Sequence, residues 1–171
     1  MKTWSALQVV DWMRLHSFAE LKCNPNAEEL TQMKAMKLLY YAQGLALAVF
    51  GEPLFKENLL AYRYGPVVET VHERYKHYRG IVHITMPDGF VVNEENGIDP
   101  DALENYTAIF EDPESNSVLR NVMKLYGEES ATELMERTHE ERPWKETEQS
   151  GVIDLELIKQ YFTDEVVEKD V

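Results

Sequence analysis

The run His72-Glu73-Arg74-Tyr75-Lys76-His77 comes closest to a metal-binding pattern. Two histidines around a glutamate suggest a zinc-protease helix, whose ligands lie four residues apart on one face. Here the second histidine falls five residues after the first. That step turns a helix by about 500° and leaves the two imidazoles some 140° apart. One helix cannot aim both at a single metal, so the run reads as a surface helix. Cys23 is the sole cysteine. It permits neither an internal disulfide nor a four-cysteine zinc site, and it fits a reducing compartment. Gly44 and Gly51 lie around a helix at the wrong spacing for a phosphate-cradling loop. The expectation is no metal and no cofactor.

His139 is the second candidate. It follows Thr138 and precedes Pro143-Trp144. An imidazole suits general-base work near neutral pH. No nucleophile has a recognisable setting nearby, however, and a histidine is favoured at a helix end with unpaired carbonyls. A hydrolase pairing His139 with a carboxylate is the weakest alternative. Tyr40, Tyr41, Tyr62, Tyr64, Tyr75 and Tyr78 form a third group. Tyrosine serves either a core, with its hydroxyl partnered, or an interface anchor.

These residues need elements to hold them. Ala6, Val9, Val10 and Met13 recur at helical spacing, so a first helix begins near Ser5. Asn24-Pro25-Asn26 reads as a turn. Asn26 with Glu29 suggests a capping box opening a second helix that runs to Phe50, with Gly51 just past its end. Leu38–Phe50 is apolar except for Gln43 and Gly44. At about 20 Å it is too short to span a bilayer and reads as a central buried helix. Residues 58–64 suggest a strand or extended segment. Pro66 is expected at the first position of a helix carrying Val68, Val71, Tyr75 and Tyr78. Ile81–Met86 and Phe90–Val92, around Pro87-Asp88-Gly89, suggest a small hairpin. Further helices are expected over 101–110, around 118–126, from Ser130 to about His139 with a Ser130/Glu133 capping box, and after Asp154. Pro143-Trp144 is expected to end the helical region before it.

The chain has 171 residues, with 31 acids against 17 bases and a net charge of −14. Residues 1–92 hold 9 acids and 10 bases, so the whole excess lies in the second half. Such a surface repels nucleic-acid phosphates and anionic membranes, so neither is expected as a partner. An acidic face also speeds encounter with a basic partner. The N-terminus lacks the pattern of a targeting segment, and a cytoplasmic protein is expected. The expected fold is mainly α: a single compact helical domain over residues 1–162 with a small β-hairpin, then an acidic, loose tail over 163–171.

Three stretches carry a family resemblance. They are Lys37-Leu-Leu-Tyr-Tyr-Ala-Gln-Gly44 followed by Gly51-Glu-Pro-Leu-Phe55, then Ala61-Tyr-Arg-Tyr-Gly-Pro-Val67, then Glu133-Leu-Met-Glu-Arg-Thr-His139 with Pro143-Trp144. In this order, over roughly residues 28–145, the chain resembles the Panacea-domain family, which includes SocA-like and phage-associated proteins. The resemblance implies an antitoxin of a bacterial or prophage toxin–antitoxin pair, neutralising a cognate protein toxin by direct contact. The alternative it implies is an adaptor that delivers the toxin to a protease. It implies no catalytic residues. It marks Tyr62, Tyr64, Gly65, Pro66, Thr138, His139 and Trp144 as hallmark or partner-binding candidates. No separate DNA-binding domain is recognised beside these stretches, so autonomous operator binding is not expected.

Overall fold

The computed structural model describes residues 1–169. Helix α1 (Ala6–Cys23) opens as the sequence suggests: Ser5 caps it, and the Ser5 and Gln8 side chains each bond the other's backbone N–H. Helix α2 (Gln32–Phe50) is the centre of the molecule, with every residue from Ala35 to Leu47 buried. A helix this apolar on all sides must be surrounded. Helices α5 (Pro113–Tyr126), α6 (Ala131–Glu140) and α8 (Leu155–Phe162) pack around it. Gln43, the polar break in its apolar run, is fully used. Its Nε2 donates to the Phe55 carbonyl at 2.9 Å, and its Oε1 accepts from the Leu54 N–H at 2.8 Å. Gly51 ends α2 with φ 74, as expected.

The start of α2 differs from expectation. Its cap is Thr31, not Asn26. Glu29 cannot close a capping box with Asn26, because its carboxylate accepts from the N–H groups of Val82 and His83 at 2.9 and 2.7 Å. The Leu30 carbonyl likewise accepts from the Ile81 N–H. Non-local pairing thus holds residues 29–31 extended. The same region anchors Arg14, a fully buried base on α1 whose Nε donates to the Ile81 carbonyl at 2.7 Å. Its Nη1 pairs with Asp11 and with Asp99, the cap of α4 (Pro100–Phe110).

The hairpin exists, but not where the sequence suggested. Strands β1 (Leu60–Tyr62) and β2 (Gly65–Val67) pair antiparallel, with Ala61 opposite Pro66. Residues 81–92 instead make a chain reversal with a single bridge, Thr85 to Val91. Pro66 is a strand residue, and α3 (Glu69–Tyr75) begins only after it. The reason lies in Ala61, whose N–H and carbonyl point away from β2 to bond Gly151 and Ser150. Its partner position therefore demands no N–H, and a proline fits. Tyr78 lies beyond α3, with its hydroxyl donating to the Thr85 carbonyl.

The capping box at Ser130 and Glu133 and the Asp154 cap form as expected. Asp112 and Pro113 break the chain after α4 and also start α5, as its cap and first residue. Pro143-Trp144 does not end the helical region but lies in a one-turn helix, α7 (Arg142–Lys145). After α8, residues Thr163–Val167 form a π-helical turn, and Val166 and Val167 pack against the core. The expected loose tail is therefore ordered over these residues, while 170–171 lie outside the described residues. Among the described residues, no helix is long and apolar enough to cross a membrane.

Candidate functional site

The hairpin, the C-terminal end of α6 and α7 meet over one face of α2. Gly65 starts β2 with φ 97, a conformation that favours glycine. A Cβ there would lie 2.8 Å from Thr138 Oγ1 and 3.0 Å from Lys37 Cε. Thr138 is fully buried on α6 and donates its hydroxyl to the Met135 carbonyl at 2.8 Å. The Lys37 ammonium donates to the Pro66 carbonyl at 3.1 Å. Trp144 completes the contact from α7: its Nε1 donates to the Tyr62 carbonyl at 2.8 Å. The His139 ring packs on the Trp144 indole, with centroids 4.2 Å apart, and its Nε2 is buried without a hydrogen-bond partner. Thus Gly65, Pro66, Thr138, His139 and Trp144 form one connected junction, with Tyr62 bound to it through its backbone.

Tyr64 is different. It is 56% exposed at the hairpin tip, with the Arg63 guanidinium 5.4 Å from its ring centre. The tip forms one wall of a surface groove of about 410 Å³. Met33, Met36 and Lys37 of α2 line it together with Tyr62, Arg63, Tyr64 and Val67, and His72, Gln149 and Ser150 also contribute. Ser150 holds φ 65, unusual for a residue with a side chain. Tyr62 donates its hydroxyl to Glu69 at 2.9 Å, and that bond raises its pKa.

Lys37 was legible only as part of a motif, not as a site residue. It is 2% exposed, and burial pulls its amine down to about 7. A lysine inside the apolar stretch Ala35–Leu39 was the available signal. A second buried ionisable group lies across α2. Glu141 accepts from the Tyr41 hydroxyl at 3.0 Å, and burial pushes its carboxyl up to about 7. The Tyr40 hydroxyl interacts with the same carboxyl but makes no hydrogen bond. Burial raises the Tyr40 and Tyr41 hydroxyls above their ordinary value, and Glu141 adds to the effect.

His72 and His77 do not converge with other ligands. Among the described residues, no group of three or more histidines, cysteines, aspartates or glutamates could hold a metal. His139 faces an indole rather than a carboxylate.

Fold and site together define a small helical domain with a surface groove beside a buried junction. The family model described as antitoxin SocA-like, Panacea domain, matches residues 36–145, which is 110 of the 171 residues. The chain belongs to this SocA-like, Panacea-domain antitoxin family. The match runs from α2 through α7, so it contains the whole junction and most of the groove. No curated protein and no solved structure matches the chain.

Proposed function

We propose that this protein neutralises a cognate protein toxin by direct, non-enzymatic contact, and that the groove face makes that contact. The observation that supports this reading is the coincidence of the family match with the groove. The matched stretch supplies Met36 and Lys37 of one wall and the hairpin of the other, with Tyr64 56% exposed, and Met33, 42% exposed, lies just before it. Exposed aromatic and thioether side chains beside a concave surface are typical anchors for a protein partner. The rigid junction would hold the tip in place, so that little ordering cost falls on binding. The acidic second half of the chain would speed encounter with a basic region of the toxin.

The test is co-expression with the product of the adjacent reading frame. Growth should be rescued, the two proteins should co-purify, and the toxin should keep its intact mass. Rescue should persist in a host lacking its energy-dependent proteases. Loss of rescue in that host would favour the adaptor reading, and a chemically altered toxin would refute a non-enzymatic role. Toxicity that persists with both proteins soluble would refute the antitoxin reading.

A further inference from the structure

We propose that the groove between α2 and the hairpin receives an acidic segment of the toxin, one of whose side-chain carboxylates pairs with Lys37. The inference rests on the antitoxin reading above and adds the chemistry of the contact.

Three observations carry it. First, the groove has the opposite charge from the chain around it. Its lining contains Lys37, Arg63 and His72 and no aspartate or glutamate. The chain as a whole has 31 acids and 17 bases. A basic patch on an acidic protein is complementary to an acidic partner segment and discriminates against a basic one. Secondly, Lys37 is a buried cation with unused capacity. An ammonium has three N–H donors, and the Pro66 carbonyl takes one. No carboxylate offsets the effect of burial on it, which is why its amine falls to about 7. A charge buried without a counter-ion is unfavourable, and an incoming carboxylate would correct this. Thirdly, the groove lining also exposes two large hydrophobic side chains, Met33 and Tyr64. An acidic residue flanked by an apolar one would satisfy both features.

The groups that face this position from neighbouring elements fit the same occupant. The hairpin presents Arg63, and the Tyr62 hydroxyl is already committed to Glu69. Helix α3 presents His72, and α6 presents the neutral hydroxyl of Thr138, which donates to Met135. None of these supplies a free anion to Lys37.

The experiment measures the affinity of the purified full-length protein for the product of the adjacent reading frame. Lys37→Met keeps an unbranched side chain only one atom shorter and removes the charge, so the variant should fold. Its Kd should rise by at least about 30-fold, the usual scale for truncating one partner of a buried charge pair. Arg63→Glu alters an exposed residue at the groove rim and tests the charge argument independently of folding at Lys37. It should weaken binding by about tenfold or more. Arg120→Glu makes the same charge change on α5, away from the groove, and should stay within about twofold of the parent. Unchanged affinity in a folded Lys37→Met variant, or in Arg63→Glu, would overturn the inference and leave the antitoxin reading standing. Equal weakening by Arg63→Glu and Arg120→Glu would also overturn it, since net charge would then explain the effect. No binding by the parent protein would overturn the antitoxin reading itself.

Discussion

Gly65 and Thr138 sit so close that a methyl group on the glycine would lie 2.8 Å from the threonine hydroxyl oxygen. This contact joins the hairpin to α6, and Lys37 Cε would lie 3.0 Å from the same methyl group. Gly65→Ala should therefore destabilise the fold twice over. It forces a side chain into φ 97, and it crowds Thr138 and Lys37. The expected loss is about 1–3 kcal/mol, measured by urea unfolding. An unchanged midpoint would mean that the junction yields freely and that the glycine serves some other purpose.

Trp144→Phe should separate the two contacts of that indole. Phenylalanine keeps a ring against His139 but loses the Nε1 donor to the Tyr62 carbonyl. Loss of one hydrogen bond at this part-buried carbonyl costs about 1 kcal/mol. The loss should appear in unfolding free energy and as faster amide exchange in β1 and β2. Unchanged exchange would show that pairing with residues 150–153 alone fixes the hairpin.

What the sequence disclosed, and what it hid, follows from the range of the interactions. The Ser5, Ser130 and Asp154 caps are local, because the capping side chain and its N–H partner lie within three residues. Such signals survive without tertiary knowledge. The Asn26 cap failed because Glu29 bonds Val82 and His83, more than 50 positions away. Pro66 resembled a helix start because the missing N–H suits both a helix start and an unpaired strand position, and only the outward bonding of Ala61 distinguishes them. The hallmark residues were visible as motifs, whereas the groove was not. Met33, Gln149 and Ser150 come from segments over 100 positions apart, and no local pattern links them.

Gly44 should prove as constrained as Gly65, for a different reason. It lies in mid-helix, where glycine is ordinarily unfavourable. Here the ring of Phe162 occupies the space a Cβ would need. Gly44→Ala gains helix propensity but must push α8 off α2. Overpacking of this kind costs about 1–3 kcal/mol. The variant should be less stable than the parent, with amide exchange in α8 raised most. A stabilised variant would show that Phe162 finds another rotamer at little cost.

Glu141 and Lys37 give the protein an unusual pH dependence, because each is buried against its charged form. Burial holds the Glu141 carboxyl at about 7, against an ordinary value of 4.5. Between those values the folded state holds more protons than the unfolded chain, so stability falls as pH rises from about 4.5 to about 7. Burial holds the Lys37 amine at about 7, against an ordinary 10.5. Between these values the unfolded chain holds more protons, so stability rises from pH about 7 to about 10.5. The two effects add to a minimum near neutrality. Glu141→Gln keeps an acceptor for the Tyr41 hydroxyl and removes the charge. It should raise stability at pH 8 by about 1–3 kcal/mol and flatten the acid limb, while leaving the alkaline limb intact. Lys37→Met should do the reverse, raising stability at neutral pH and flattening the alkaline limb. Urea unfolding at pH 5, 7 and 9.5 reads both limbs. If Glu141→Gln leaves the acid limb as steep as in the parent, another carboxyl governs it, and the Tyr41–Glu141 pair is not the buried acid that sets the minimum.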